Sequence, residues 1–271
     1  MTPEESIAWK PTLPGGSTDI LPFQVEHFAT PSPVLPLGGV YLEVGSFFGR
    51  SICHMGLLRP DVRLVVCDPW TDEWEDAGET LPIGPDRERR DKYGGMYEAF
   101  VAGLREHAPE LLDGMRLLDL RGVAVVDGLY RIDMQRLTRL TILRGPSQHA
   151  LPAALPAASV DVAFLDGDHT LEGLAADITQ ARRVVRPGGL IAGHDYHASY
   201  WGSPTTLAVE RELLLSPGAK GYKLAPWPYE REGWDAGHSS VWYADSWVPQ
   251  VSVEAFALDA PEDPAREPVE P

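Results

Sequence analysis

Short apolar runs that stop at a glycine or an acid, each followed by a helical pattern, constrain this chain most. Val40-Tyr-Leu-Glu-Val-Gly45 reads as a buried strand. A helix carrying Ile52, Met55 and Leu58 inward follows from about Gly49. Arg63-Leu-Val-Val-Cys67 is a second buried strand and ends at Asp68-Pro69. Strand, helix and strand at this spacing form a βαβ unit. The alternation then recurs. A helix is expected at about 95–108, with Met96, Phe100, Val101 and Leu104 on one face, followed by a strand at Leu140–Arg144. Val160–Asp166 is the next strand; the helix after it, 170–185, aligns Leu171, Leu174, Ala175, Ile178 and Ala181. Pro187-Gly188-Gly189 is expected to stop that helix before a strand at Leu190–Asp195. A helix at about 205–215 and strands near 221–225 and 240–244 complete the set. Strands alternating with helices predict an α/β fold, a mostly parallel sheet with helices on both faces.

The chain has 26 Gly and 25 Pro in 271 residues, so turn and loop must occupy much of it. Residues 1–38 are Pro-rich and weakly periodic, an extended arm with at most one short helical turn, either disordered or a lid over a site. A single domain spans 39–247, with insertions at about 71–93 and 110–138. The first insertion is charged and broken by Gly and Pro; the second suits either a hairpin or a helix pair. An acidic, Pro-rich tail covers 248–271 and is expected to be disordered from about 258, where five acids face only Arg266.

Asp and Glu number 40 against 23 Lys and Arg, a formal charge of −17. Such a surface repels phosphate backbones and anionic bilayers, so neither nucleic acid nor membrane is an expected partner. No apolar run reaches the roughly 18 residues of a membrane span. The start, MTPEESIAWKPTLPGG, has no basic segment followed by an apolar one, so no secretory leader is expected. Two cysteines, Cys53 and Cys67, exclude a disulfide scaffold; both fall on core positions, and a reduced, cytoplasmic setting is expected.

In open α/β sheets, ligands sit beyond the carboxyl ends of the strands. Four ends here carry unusual residues: Glu43–Ser51, Asp68, Ser147-Gln148, and Asp166 with Asp195. Glu43-Val-Gly-Ser-Phe-Phe-Gly-Arg-Ser51 is a glycine turn leading into a helix N-terminus, where a negative group is favoured. Its Gly-x-x-x-Gly spacing is neither the dinucleotide fingerprint nor a Walker loop. Glu43 lies inside a strand, so it faces an amine-bearing ligand or an Arg. Asp68 follows Gly45 by 23 residues, a spacing at which an acid accepts ribose hydroxyls; a turn or cap role is the alternative. Asp166 and Asp195 are 29 residues apart, one helical crossover, and should converge on adjacent strand ends. Converging acids repel unless a cation or a shared proton lies between them.

Glu-Val-Gly-Ser-Phe-Phe-Gly-Arg-Ser, Cys-Asp-Pro-Trp, Phe-Leu-Asp-Gly-Asp-His-Thr and Arg-Pro-Gly-Gly-Leu-Ile-Ala-Gly-His-Asp-Tyr together resemble class I S-adenosylmethionine-dependent methyltransferases. More narrowly, they are similar to the metal-dependent small-molecule O-methyltransferases of the catechol and macrolide-sugar type. The resemblance covers roughly 38–68 and 139–243. It implies a Rossmann-like, doubly wound, seven-stranded sheet with an antiparallel last strand. It places Gly45, Ser46 and Gly49 at the methionine portion of the cofactor, Glu43 close behind them, and Ser51 on the cofactor carboxylate. Asp68 would hold the ribose, Pro69-Trp70 would flank the adenine, and Ser147 and Gln148 of a Gly-x-Ser-Gln turn would contact the adenine edge. A helix cap is the alternative role for Ser147-Gln148.

The same resemblance implies a divalent ion, expected to be Mg²⁺, held by Asp166, His194 and Asp195, with Asp166 also bordering the cofactor. Such an ion binds the acceptor oxygen and acidifies its hydroxyl. Relatives mostly carry an acid where this chain has His194; as a direct ligand it shifts the preference toward Mn²⁺ or another transition metal, and the alternative is a place behind the ligands, since neighbouring strand residues point to opposite faces. His169, where relatives place a Lys or His, is the expected general base. Asp168 reads as a helix cap or supporting acid. Tyr196, Tyr200, Trp201, Trp70 and Trp74 are pocket-wall candidates, although aromatic residues more often belong to a core. The expected activity is methyl transfer to a hydroxyl of a small molecule, a natural-product sugar or a phenol. Metal-independent N- or C-methylation and non-catalytic cofactor binding are the rivals. The insertions are the candidate surfaces for a homo-oligomer.

Overall fold

The computed structural model describes residues 20–72, 74–76, 79–81, 84–122, 128–196, 204–215, 223–226 and 242–245. Its strands are β1 (Val40–Val44), β2 (Arg63–Asp68), β3 (Trp74–Asp76), β4 (Glu79–Leu81), β5 (Arg116–Asp119), β6 (Leu140–Arg144), β7 (Val160–Leu165), β8 (Val185–Gly193), β9 (Lys223–Pro226) and β10 (Trp242–Asp245). The helices are α1 (Ile20–Phe28), α2 (Arg50–Leu58), α3 (Gly84–Tyr93), α4 (Met96–His107), α5 (Ser147–Ala154), α6 (Leu171–Val184) and α7 (Pro204–Glu210). Helix α7 runs into a π-helical turn, Arg211–Leu215.

The main sheet has the order β5-β6-β2-β1-β7-β8-β10-β9. Strands β5 to β8 pair in parallel, and β10 runs antiparallel to both β8 and β9. The seven expected strands are therefore present with an antiparallel last strand. An eighth, β5, adds to the edge from within the second insertion, where a hairpin or helix pair was expected. Residues β1 to β2 step to one side of the sheet and β7 to β8 to the other, so the chain reverses its winding at β1 and β7. Ligand crevices form at such a reversal.

Alternation along the strands sorts the side chains onto two faces. Tyr41, Leu64, Val66, Ile142 and Phe164 pack with α1, α2 and α4 in one buried cluster. Leu42, Val44, Val65, Cys67 and Leu143 pack with α5, α6 and α7 in the other. Cys53 and Cys67 are both buried thiols in these clusters, as expected.

Three local expectations change. The arm forms a nine-residue helix, α1, between Ile20 and Phe28. It is held by burial of Phe23 and Phe28 and by Gln24. Gln24 Nε2 donates to Tyr41 Oη at 3.2 Å and to the Ser51 carbonyl at 3.3 Å, and Gln24 Oε1 lies 2.7 Å from His54 Nδ1. Burial pushes the His54 imidazole down to about 4. The first insertion contains a β3–β4 hairpin and α3. Finally, α6 ends at Val184, before Pro187-Gly188-Gly189, which lies within β8. Val160 pairs Val185 but Val162 pairs Leu190, so the Pro-Gly-Gly stretch is a bulge in the strand. Residues 1–19, the pocket-wall candidates Tyr200 and Trp201, the Trp74 side chain and the tail lie outside the described residues.

Asp161 ties the arm to the opposite end of the sheet from the chemistry. Its Oδ2 accepts from the Val40 amide at 2.7 Å and its Oδ1 from Arg186 Nε at 2.5 Å. Arg186 Nη2 in turn donates to the Pro33 carbonyl at 2.7 Å. Asp161→Ala leaves a buried amide and a guanidinium without this acceptor and should cost about 1–3 kcal/mol. Scanning calorimetry checks this; an unchanged melting temperature would show that the clamp contributes nothing.

Candidate active site

Glu43 lies on the α2 face of β1 because Tyr41, two residues earlier, does. It is fully buried, and Ser46 Oγ donates to its Oε1 at 2.5 Å. Its Oε2 has no protein partner. Burial pushes the carboxyl up to about 7, against the Ser46 and Ser51 hydroxyls, which pull it down. Its folded value therefore exceeds the ordinary 4.5. The stability this gives is complete below about pH 4.5 and is lost as pH rises through 7. Glu43→Gln does not titrate. In the ligand-free protein its stability relative to the wild type should rise by roughly 3 kcal/mol between pH 4.5 and 8. Denaturant unfolding at the two pH values measures this; a pH-independent difference would mean that Glu43 is not destabilised when ionised.

The turn after β1 is stapled to Asp68. Asp68 Oδ2 accepts from the amides of Ser46 (2.8 Å) and Phe47 (3.0 Å), and Oδ1 accepts from the Trp70 amide at 2.6 Å. Burial raises the Asp68 carboxyl despite these bonds. The turn role of Asp68 is thus present, and Oδ1, which accepts one bond, keeps lone-pair capacity for a ligand hydroxyl. Trp70 is in the core: its indole donates to the Phe47 carbonyl at 2.8 Å, and its ring lies 4.6 Å from Phe100. Gly49 has φ +82 and a Cβ there would lie 2.9 Å from the Phe100 ring, so packing alone requires that glycine.

Gly45 has φ +79, and a Cβ there would run into the Asp166 carbonyl. The β1 turn is thereby pressed directly against the β7 turn. Asp166 and Asp195 follow paired strand ends, Leu165 opposite Gly193. His169 Nε2 lies 3.5 Å from Asp166 Oδ1 and 3.2 Å from Asp195 Oδ2. His194 Nδ1 lies 3.1 Å from Asp195 Oδ1 and 3.6 Å from Asp166 Oδ1. The side chain of His194 is 8% exposed and that of His169 41%. Hydrogen bonding to Asp166, aided by the charges of Asp166 and Asp195, lifts His169 to about 9.

Among the described residues, one group of three brings ligand atoms within 4.8 Å of one another: Asp166, His169 and Asp195. Two converging carboxylates with an imidazole suit a divalent cation. The expected set had His194 in place of His169. His194 faces the same carboxylates from the buried side, while His169, expected as the base, closes the group from the open side. Asp168 Oδ1 accepts from the Thr170 amide at 2.9 Å, and Thr170 itself caps α6.

Backbone strain gathers here. Among the described residues, the non-glycine residues at positive φ are Phe47, Trp70, Ala158 and Asp195, three of them at these strand ends. Such conformations cost about 1–3 kcal/mol each and cluster at functional sites. A 590 Å³ cavity lined by Tyr93, Tyr97, Glu98 and Arg105 shares none of the strand-end residues.

Ser147 is buried as the first residue of α5, and Gln148 beside it is exposed. Pro146 occupies the cap position, so the helix-cap role is not the one found. Ser147 Oγ instead donates to Asp177 on α6. Asp177 was missed by sequence reasoning because it sits within an otherwise apolar stripe. A charged residue among Leu174, Ala175, Ile178 and Ala181 was the available signal. Tyr196 is buried, with its hydroxyl 3.4 Å from Glu210 Oε1.

The sheet order, the glycine turn and the acids at paired strand ends define a class I methyltransferase architecture. A model of the methyltransferase domain matches residues 42–196, and the chain belongs to that family. None of the curated proteins compared matches it in sequence. Among solved structures it is similar to CalS11, a TDP-rhamnose 3'-O-methyltransferase of calicheamicin biosynthesis, at 17% identity, 84% of this chain, 78% of that chain and TM-score 0.44. It is also similar to the O-methyltransferase TomG of Streptomyces achromogenes, at 15% identity, 90% and 88% coverage and TM-score 0.47. Rv0187 from MTB aligns at 16% identity, 90% and 88% coverage and TM-score 0.49. Among the described residues, no helix is long and apolar enough to cross a membrane.

Proposed function

We propose that the protein transfers a methyl group from S-adenosylmethionine to a hydroxyl of a small molecule. One observation carries the reading. The Glu43–Ser46–Asp68 turn and the Asp166–His169–Asp195 cluster abut through the contact of Gly45 with the Asp166 carbonyl. A cofactor seated on the first would hold its reacting end beside the second.

In this reading Gly45, Ser46 and Gly49 border the methionine portion, and the unpartnered Oε2 of Glu43 suits its amine. Ser51 lies at the α2 N-terminus, which suits the carboxylate. Asp68 holds the ribose hydroxyls, with Trp70 behind that turn, and Ser147 and Gln148 bound the adenine. Asp166 and Asp195, with His194 behind them, would hold a divalent cation, whose chemistry when bound is to acidify an acceptor hydroxyl. A nitrogen donor favours Mn²⁺ or a similar ion over Mg²⁺. His169, the half-exposed member, faces the acceptor and takes up its proton. Orientation and deprotonation are the protein's share, since the cofactor brings the reactive sulfonium. An acidic surface suits a neutral or cationic acceptor, such as a natural-product sugar or phenol.

Calorimetric titration with S-adenosylhomocysteine and with Mn²⁺ tests this. Binding of both supports it, and failure to bind S-adenosylhomocysteine refutes it. A second reading has support of its own: His169 already spans both carboxylates, so an imidazolium alone could offset their mutual repulsion. Full activity after exhaustive chelation would favour that metal-independent site.

A further inference from the structure

Asp177 has no place in the reaction described so far. It is 3% exposed and lies on the face of α6 that packs Leu174, Ala175, Ile178 and Ala181. A carboxyl in that stripe is costly unless it is used. Its Oδ1 accepts from Ser147 Oγ, and its Oδ2 lies 3.2 Å from where a Cβ on Gly167 would be. One side chain thus bonds to the turn after β6 and stands over the residue following Asp166. Burial pushes the carboxyl up to about 7, while the Ser147 hydrogen bond pulls it down.

A serine hydroxyl has one proton and two lone pairs. With Asp177 ionised, the proton of Ser147 is directed at it; the other acceptor within reach is Gln148 Oε1, at 3.2 Å. Both acceptors belong to the protein. What remains for a ligand is therefore lone-pair density, which accepts from an N–H and repels a carbonyl.

We propose that Asp177 is a positioning residue that fixes the Ser147 hydroxyl as an acceptor, so that the site selects a 6-amino purine over a 6-oxo purine. The proposal rests on the reading of Ser147 as a cofactor contact. It differs from that reading in assigning the direction of the hydrogen bond and the residue that imposes it.

The test compares S-adenosylhomocysteine with S-inosylhomocysteine, in which oxygen replaces the 6-amino group. Titrations are run on the wild type, Asp177→Leu, Asp177→Asn and Ser147→Ala, each first checked by thermal melting. The wild type should prefer the adenosyl compound by about tenfold or more, the scale of one good hydrogen bond lost and one repulsion added. Asp177→Leu and Ser147→Ala should each shrink that ratio to within about threefold. Asp177→Asn, which keeps an acceptor oxygen, should retain part of it. A merely structural role would weaken both ligands alike and leave the ratio unmoved. An unmoved ratio in Asp177→Leu or in Ser147→Ala overturns the proposal and leaves the methyltransferase reading standing. Should Asp177→Leu fail to fold, Ser147→Ala still decides. A wild type that binds neither compound overturns both.

Discussion

His169→Ala should lower kcat/KM for methyl transfer by about 10²–10⁴-fold, the usual loss when a positioned proton acceptor is removed. Its fold should survive, since the side chain is 41% exposed and fills no core. The same residue predicts the pH dependence of cation binding. Without a cation, Asp166 and Asp195 hold its imidazolium and lift it to about 9. A cation entering between the carboxylates must displace that proton. Its affinity should therefore rise about tenfold per pH unit from about pH 7 toward 9, then level off. Mn²⁺ titrations in buffers of different ionisation enthalpy should show about one proton released per ion at pH 7.5. Release of none would mean that the imidazolium is not displaced. The stability link runs the other way: what His169⁺ contributes to the ion-free protein is complete below about pH 6.5 and lost as pH rises through about 9.

Gly45→Ala should be the most disruptive single-methyl change. Left-handed backbone at a non-glycine residue costs about 1–2 kcal/mol. The methyl group would also meet the Asp166 carbonyl, a backbone atom with no rotamer through which to escape. Overpacking of that kind adds about 1–3 kcal/mol. The expected fall in melting temperature is roughly 10 °C for a chain of this size. Activity should fall further than stability predicts, because yielding moves Asp166. A variant that melts like the wild type and remains active would show that the two turns are not pressed together.

Much of the fold was legible because strand and helix periods differ. The runs at 40–45, 63–67 and 160–166 are too apolar to be anything but buried strands, and the 174–181 stripe could only be a helix face. The arm helix was not legible. Six of its nine residues are apolar, in no clear helical stripe, and its polar Gln24 looks like a surface residue until Tyr41, Ser51 and His54 surround it. The edge strand β5 was equally hidden: its side chains are mostly exposed, so burial left no alternation to read. The bulge at Pro187-Gly188-Gly189 carries the same residues as a helix stop, and only pairing with β7 distinguishes the two.

The chain order of glycines and acids by itself determined which residues stand at the strand ends, because a strand's direction and a crossover's length are local properties. Proximity is not local. That His169 reaches between Asp166 and Asp195, that Gly45 bears on the Asp166 carbonyl, and that Asp177 takes the Ser147 proton follow from the packing of β1, β7 and β8 side by side and of α5 against α6. Those contacts join segments up to 121 residues apart. Distances of a few ångströms across such separations are set by the closing of the sheet and the filling of its two faces, which no stretch of sequence specifies alone.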